Sequence, residues 1–370
     1  RPIGLGFALV GEGLRYGIVG AGMMGLQHLR NLQAIEGAQV TAVVEPDEGS
    51  MEWLALAVGS DPMPRRFESH VELASSGLCD VVVVASPNDT HHAVCRELLS
   101  TDLHLLIEKP MATTIEHCVE IRDLAAERDA VTWVGLEYRY MPPVAALVDL
   151  VRSGTLGRTV MVAIREHRFP FLQKVGDWNR FNERTGGTLV EKCCHFFDLM
   201  HLLSEAEPVA VMASGGQDVN HLDERYDGRT PDIIDNAMVV VEHANGVRAS
   251  LDLCMFAEGS LNQEELSVVG SEAKAEAFLP SGELRVGRRA GWGAGVEVST
   301  IADERVGFEG LHHGSSFLEH LDLIAAIEAG RPAAVNCEDG LRATAVGVAA
   351  QTSIAERRIV EIDELLAPYR

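Results

Sequence analysis

From Arg15 onward the chain runs as short apolar stretches separated by longer amphipathic ones: "RYGIVG", "AQVTAVVE", "DVVVVAS", "LHLLIEK" and "AVTWVG". Apolar runs without alternation are strands covered on both faces, and their regular spacing by helical patterns predicts a parallel sheet. The expected fold class for residues 15–135 is α/β, a doubly wound Rossmann unit. Residues 1–14, "RPIGLGFALVGEGL", precede this rhythm. Without a basic start or a small-residue cleavage pattern, they read as an extension and not as a secretory signal.

After "GLEYRYMPP" the pattern changes. A prolyl pair opens a helix to about Ser153, and long runs follow with no helix between them: "GRTVMVAIREHRF", "EPVAVMASG", "IDNAMVVVEHANGVRASLDLCMF", "EELSVVGSEAKAEAFL" and "GELRVG". Asn245-Gly246 between two apolar runs is a hairpin signal. Residues 136–370 are therefore expected to form an α+β domain with a large, mostly antiparallel open sheet. Helical periodicity returns in "SSFLEHLDLIAAIEAG" and "EDGLRATAVGVAAQTSIAER", helices that are candidates to pack back on the Rossmann unit.

Composition narrows the function. Of 370 residues, 31 are Lys or Arg and 55 Asp or Glu, a net charge of −24 that repels nucleic acid and anionic membranes alike. No apolar run approaches the ~18 residues of a spanning helix. Seven cysteines at irregular spacing read as free thiols in a reducing compartment, which makes the cytoplasm the expected location. The expected partners are a small molecule and, from the long antiparallel strands, further copies of the chain in a homodimer or homotetramer.

The chemistry begins at "GAGMMG". The turn follows a predicted strand and opens a helix, so Gly20, Gly22 and Gly25 provide a tight turn, close approach of a pyrophosphate and tight helix–strand contact, with Ala21, Met23 and Met24 beside them. Glu45, ending the second strand, would accept hydrogen bonds from ribose hydroxyls and repel a 2′-phosphate, which favours NAD over NADP. Two loops at strand carboxyl ends are also expected at the cofactor: Ser86, Pro87, Asn88 and His91 of "ASPNDTHH", and Glu108 and Lys109 of "IEKPM".

A further stretch, "GGTLVEKCCHFFDL", reads as a buried helix over residues 189–203, with Thr188 as N-cap and Glu191 at capping-box spacing. On that helix Glu191, His195 and Asp198 share one face. Glu191 and His195 also have the spacing of helical zinc motifs, with Cys194 and His201 nearby. No third ligand falls at a proper spacing, so no metal is expected. Cys193 and Cys194 read as packing thiols. Trp178 and Arg180 of "DWNRF" precede the helix as candidate cofactor contacts.

Taken in order, the glycine turn, "SPNDTHH", "EKP", "RYMPP", "WNRF" and the "GG…H..D" helix resemble the glucose–fructose oxidoreductase and inositol dehydrogenase family, Gfo/Idh/MocA, from about Arg15 to Val360. The resemblance implies a second domain whose open sheet faces the cofactor and often makes subunit contacts. It also implies that Lys109 is a catalytic or substrate-orienting lysine and that His195 is the main acid/base. Relatives commonly carry Asp where this chain has Glu191. Lys192 stands outside the general pattern and is expected, with Arg139, Arg165 and Asn179, to reach the substrate. The expected reaction is reversible NAD-dependent oxidation of a secondary hydroxyl of a sugar, polyol or cyclitol: His195 takes the proton and Lys109 steadies the alkoxide. Two rivals share the framework: a glycosidase that keeps NAD bound and oxidises its substrate transiently, and a non-catalytic NAD-binding regulator.

Overall fold

The computed structural model describes residues 13–291 and 295–369. In the first half the elements are β1 (Leu14–Val19), α1 (Met23–Gln33), β2 (Ala38–Val44), α2 (Glu48–Val58), β3 (Arg65–Phe67), α3 (His70–Ser75), β4 (Val81–Val84), α4 (His91–Leu98), β5 (His104–Glu108), α5 (Ile115–Ala126) and β6 (Thr132–Gly135). The strands pair in parallel in the order β3-β2-β1-β4-β5-β6. Order reverses between β1 and β4, and the crevice at their carboxyl ends is where such sheets bind ligands. Strand β3 adds a sixth strand that the hydrophobic pattern does not announce: it is three residues long, "RRF", with two of them exposed. Of the expected extension, residues 1–12 lie outside the described residues, and β1 already begins at Leu14.

After α6 (Pro142–Arg152) come β7 (Thr159–His167), three short helices α7 (Asn182–Thr185), α8 (Thr188–Glu191) and α9 (Cys194–Ser204), and then β8 (Pro208–Gly216), β9 (Asn236–His243), β10 (Arg248–Cys254), β11 (Glu264–Gly270), β12 (Ala273–Leu279), β13 (Glu283–Arg288) and β14 (Val296–Thr300). With β15 (Val360–Glu361) they form a nine-stranded sheet in the order β14-β13-β12-β11-β7-β10-β9-β8-β15, antiparallel except where β7 meets β10. The β9–β10 hairpin closes through Ala244-Asn245-Gly246, with Gly246 at φ +85 and the His243 amide donating to the Val247 carbonyl. One sheet face is covered by α6 and α9. The other presents exposed Met161, Met212 and Met238.

The remaining helices, α10 (Ser315–Glu328), α11 (Cys337–Glu356) and α12 (Ile362–Leu366), close the molecule. Phe317, Leu323 and Ile324 of α10 and Leu341 and Ala345 of α11 are buried in the core of the first sheet. Val346, Ala349 and Ala350 of α11 are buried in the core of the second. One helix therefore serves two cores.

The expected continuous helix over 189–203 is two pieces. Helix α8 stops at Glu191, and α9 starts at Cys194. The capping box does not form either. Gly187, at φ +88, occupies the N-cap position, and the Thr188 hydroxyl donates 2.6 Å to the Ile234 carbonyl. The reason lies in what surrounds the break. The Lys192 ammonium is drawn inward to Glu166 at 3.0 Å, and the Glu191 carbonyl accepts a bond from outside the helix.

Candidate active site

The glycine turn is built as its spacing requires. Gly20 has φ +93, and a Cβ there would stand 2.6 Å from the Ser86 amide nitrogen. A Cβ on Gly25 would stand 2.0 Å from the Gly20 carbonyl, whereas one on Gly22 meets nothing within 4 Å. Gly22 is also the N-cap of α1, so the open side of the turn faces the positive end of a helix. Glu45 is folded back onto this turn: its carboxylate accepts from the Ala21 amide at 2.7 Å and the Asp47 amide at 2.8 Å. Each oxygen keeps a lone pair for a further donor.

A cleft of about 470 Å³ opens here. Its walls include Gly20, Gly22, Met23, Met24, Glu45, Ser86, Pro87, Asn88, His91, Glu108, Lys109 and Trp178. Ala21 and Gly25 stand behind them, Gly25 as a contact of the Gly20 backbone. Two residues from the far side, Lys174 and Val175, complete the wall next to Trp178, over whose ring the Lys174 ammonium lies at 4.4 Å. His91 ties the loops together, with a carbonyl oxygen 2.9 Å from each ring nitrogen, from Pro110 and Ser86. The open turn, the acid facing it and the helix terminus fit a dinucleotide.

At the inner end of the cleft lies Lys109. Its ammonium donates 3.1 Å to the Glu191 carbonyl, and its amide donates to the Glu108 carboxylate at 3.0 Å. Burial works against its charge, but Cys194, Glu108, Glu137 and Glu191 outweigh it and hold the ammonium above its ordinary value. Glu108 in turn receives His28, 2.8 Å away, which itself contacts His320. The Glu191 side chain turns to Lys174 at 3.2 Å, and its second oxygen is buried without a partner.

His195 is 1% exposed and stacked on the Tyr138 ring, with centroids 4.0 Å apart and planes within 8°. Burial first, then the charges of Lys109, Lys192, His312 and Arg168, push its pKa well down, so the ring is neutral. Its Nδ1 has no partner, and its Nε2 faces Glu137 at 3.7 Å. Below it, Lys192 donates 2.5 Å to the Tyr138 hydroxyl and pairs with Glu166, whose own pKa burial raises to about 7 against the pull of Lys192.

Five expected contacts point elsewhere. Arg139 grips Asp198 with two nitrogens and reaches Asp339 at 3.2 Å and the Ala334 carbonyl at 3.1 Å, leaving its fork fully engaged between α9 and α11. Arg165 pairs with Glu265 on the outer face of the second sheet. Strand alternation sends Val162, Ile164 and Glu166 inward, so Arg165 must face out. Arg180 is held by Glu224 at 2.9 Å and the Phe171 carbonyl, and Asn179 donates to the Leu172 carbonyl at 2.9 Å. Lys192 is 4% exposed and directed at Glu166. The same alternation was a usable signal for Glu166. Glu137, Tyr138 and His312 were also not singled out as site residues; a glutamate two residues past the end of β6, at a sheet mouth, was the available hint.

Among the described residues no group of three His, Cys, Asp or Glu is arranged to hold a metal, the seven cysteines are free, and no helix is long and apolar enough to cross a membrane.

A sheet mouth of this construction, with a cation fixed beside a dinucleotide cleft, defines a dinucleotide-dependent oxidoreductase. Residues 14–136 match the NAD-binding Rossmann fold of an oxidoreductase family, and residues 148–362 match that family's C-terminal alpha/beta domain. The chain belongs to this family, Gfo/Idh/MocA, and its cofactor is NAD. It is 24% identical over 364 residues to a myo-inositol 2-dehydrogenase of Thermotoga maritima, covering 95% of this chain and 100% of that protein. An inositol 2-dehydrogenase of Rhizobium meliloti is 26% identical over 350 residues, covering 94% and 99%. The solved structure of a levoglucosan dehydrogenase with NADH and levoglucosan shares the fold with a TM-score of 0.82 at 21% identity, over 95% of this chain and 99% of that one.

Proposed function

We propose that this oxidoreductase reversibly oxidises a secondary hydroxyl of a sugar, polyol or cyclitol. The observation that carries the reading is the convergence of Lys109 and His195 from separate domains. A buried ammonium is held at the cleft end, and its charge acts both on Glu137 and on the neutral imidazole of His195 that faces the same carboxyl. Bound NAD supplies the hydride acceptor. His195, neutral before reaction, accepts the hydroxyl proton, and Lys109 stabilises the charge that develops on the oxygen. Glu191 acts on Lys109 through its carbonyl and on Lys174 through its carboxylate, and so positions both cations. Glu45 faces the adenosine end, where its charge favours NAD over a 2′-phosphorylated form. The names of the inositol and levoglucosan dehydrogenase relatives support the substrate class. A second copy of the chain is proposed to cover the outer sheet face that carries Met161, Met212 and Met238.

The test is a panel of sugars, polyols and cyclitols assayed with NAD by NADH absorbance, for the wild type and for Lys109→Met and His195→Ala. The reading expects turnover on at least one compound, falling about 10²–10⁴-fold in both variants. Equal turnover in the wild type and both variants would overturn it.

A further inference from the structure

Glu137 is an anomaly. It sits just past β6, 1% exposed, and neither of its oxygens makes a hydrogen bond of good geometry. Two imidazoles nevertheless close on the same oxygen, His195 Nε2 at 3.7 Å and His312 Nδ1 at 3.0 Å. The three side chains come from α9, the turn after β6, and the turn at Gly310–His312. Exposure rises along the series: side chains of His195 and Glu137 are each 1% exposed, and that of His312 is 19%. Leu311, beside His312, is 54% exposed.

We propose that Glu137 and His312 carry protons between His195 and solvent; this rests on the assignment of His195 as acid/base in the proposed function. In the oxidation direction the substrate hydroxyl proton passes to His195 Nε2, the nitrogen that faces Glu137, while the hydride leaves with both electrons of the C–H bond to NAD⁺. His195 then gives that proton from the same nitrogen to Glu137 as Glu137 releases one to His312, so the imidazole keeps its tautomer. His312 releases the proton to a base in solvent, and the site returns to its starting charge. Reduction runs the same sequence backward. The 3.7 Å step is long, as catalytic hydrogen bonds are before substrate tightens them.

The surroundings suit a carboxyl that both holds and releases a proton. Glu137 faces Glu108 and Lys109 at the end of β5, Lys192 before α9, His195 on α9, His312, and Glu319 on α10. Burial and then the charge of Glu108 raise its pKa, while Lys109 and Lys192 oppose them. The stacked Tyr138 ring fixes the plane of His195, so Nε2 stays aimed at Glu137. His312 receives a further contact from the Gln27 amide at 3.3 Å, which holds Nδ1 in the path.

The experiment compares wild type, Glu137→Gln and His312→Asn at low buffer concentration on a substrate the wild type turns over. The expected result is a loss of kcat of about tenfold or more for Glu137→Gln and a smaller loss for His312→Asn. Added imidazole or formate should restore part of both losses, KM should move less than about threefold, and NADH affinity by fluorescence should be unchanged. The pH profile of kcat should lose one ionisation in Glu137→Gln. Wild-type kcat in both variants would overturn the relay, as would a loss that no buffer base restores. If Glu137→Gln fails to fold, buffer rescue of His312→Asn decides alone. Absence of wild-type turnover on the whole panel is a failure of the proposed function, and is thereby distinct from failure of the relay.

Discussion

The ammonium of Lys109, at the end of the last strand but one of the first sheet, donates to the main-chain carbonyl of Glu191. The acceptor is a backbone atom, released by the break between α8 and α9. The anchor is thus indifferent to whether position 191 carries glutamate or aspartate.

Glu191→Asp should therefore keep Lys109 in place and lose only the ion pair with partly exposed Lys174, an interaction of about 1 kcal/mol or roughly fivefold in kcat/KM. Steady-state kinetics on an accepted substrate measures it. A loss as large as that of Lys109→Met would mean that the carboxylate itself takes part in the chemistry.

The glycine turn separates folding from binding. A Cβ at Gly25 collides with the Gly20 carbonyl at 2.0 Å, so Gly25→Ala should lower the melting temperature by several degrees. At Gly22 a Cβ meets no protein atom within 4 Å, and it would occupy the space that the glycine spacing leaves for a pyrophosphate. Gly22→Ala should melt like the wild type and bind NADH at least about tenfold more weakly. Calorimetry and fluorescence titration report the two quantities separately.

Removing Arg139 leaves Asp198, 2% exposed, without its cation. Burial already raises the Asp198 pKa against the pull of Arg139. Arg139→Met should cost about 3–5 kcal/mol in urea unfolding, and the double variant Arg139→Met/Asp198→Asn should recover a large part of that. A double variant as unstable as the single one would refute the assignment.

His243 gives a pH signature away from the site. Burial first, and His201 nearby, lower its pKa from 6.5 to about 4, against the Val247 hydrogen bond and Glu207. The unfolded chain binds more protons between these values, so its contribution is intact above pH 6.5 and is lost as pH falls toward 4. At pH 5 the loss is about 2 kcal/mol. Unfolding free energies from urea titration at pH 7.5 and pH 5 should differ less in His243→Gln by that amount.

The first sheet was readable because its strands are uninterrupted apolar runs bounded by glycine or proline, and the cofactor turn because its chemistry is local. Strand β3 was not, since "RRF" carries no apolar signal. Lys109 and His195, to which the proposed function gives the chemistry, stand in short motifs that a reading of the sequence can single out. Glu137 and His312, 175 positions apart, meet only through the fold. The arginines at 139, 165 and 180 misled for a common reason: a guanidinium near a site looks free in sequence, and which carboxylate claims it depends on packing. The helix break was invisible because Lys192 and Glu191 are individually good helix formers, and a buried ion pair with a residue on β7 overrode that preference.

Helix α11 and its neighbour α10 have a consequence for how the chain is made. Residues 14–135 lay down the first sheet, yet Trp133 finds the Glu319 carboxylate, 3.1 Å from its indole nitrogen, only when α10 arrives. During synthesis roughly 180 residues separate the two events, which at ribosomal speed is on the order of ten to forty seconds. Through that interval the nascent Rossmann unit shows the ribosome exit and its attendant chaperones an uncovered apolar flank around Leu32, Cys118 and Trp133, and it becomes a finished domain only once α10 and α11 have been made.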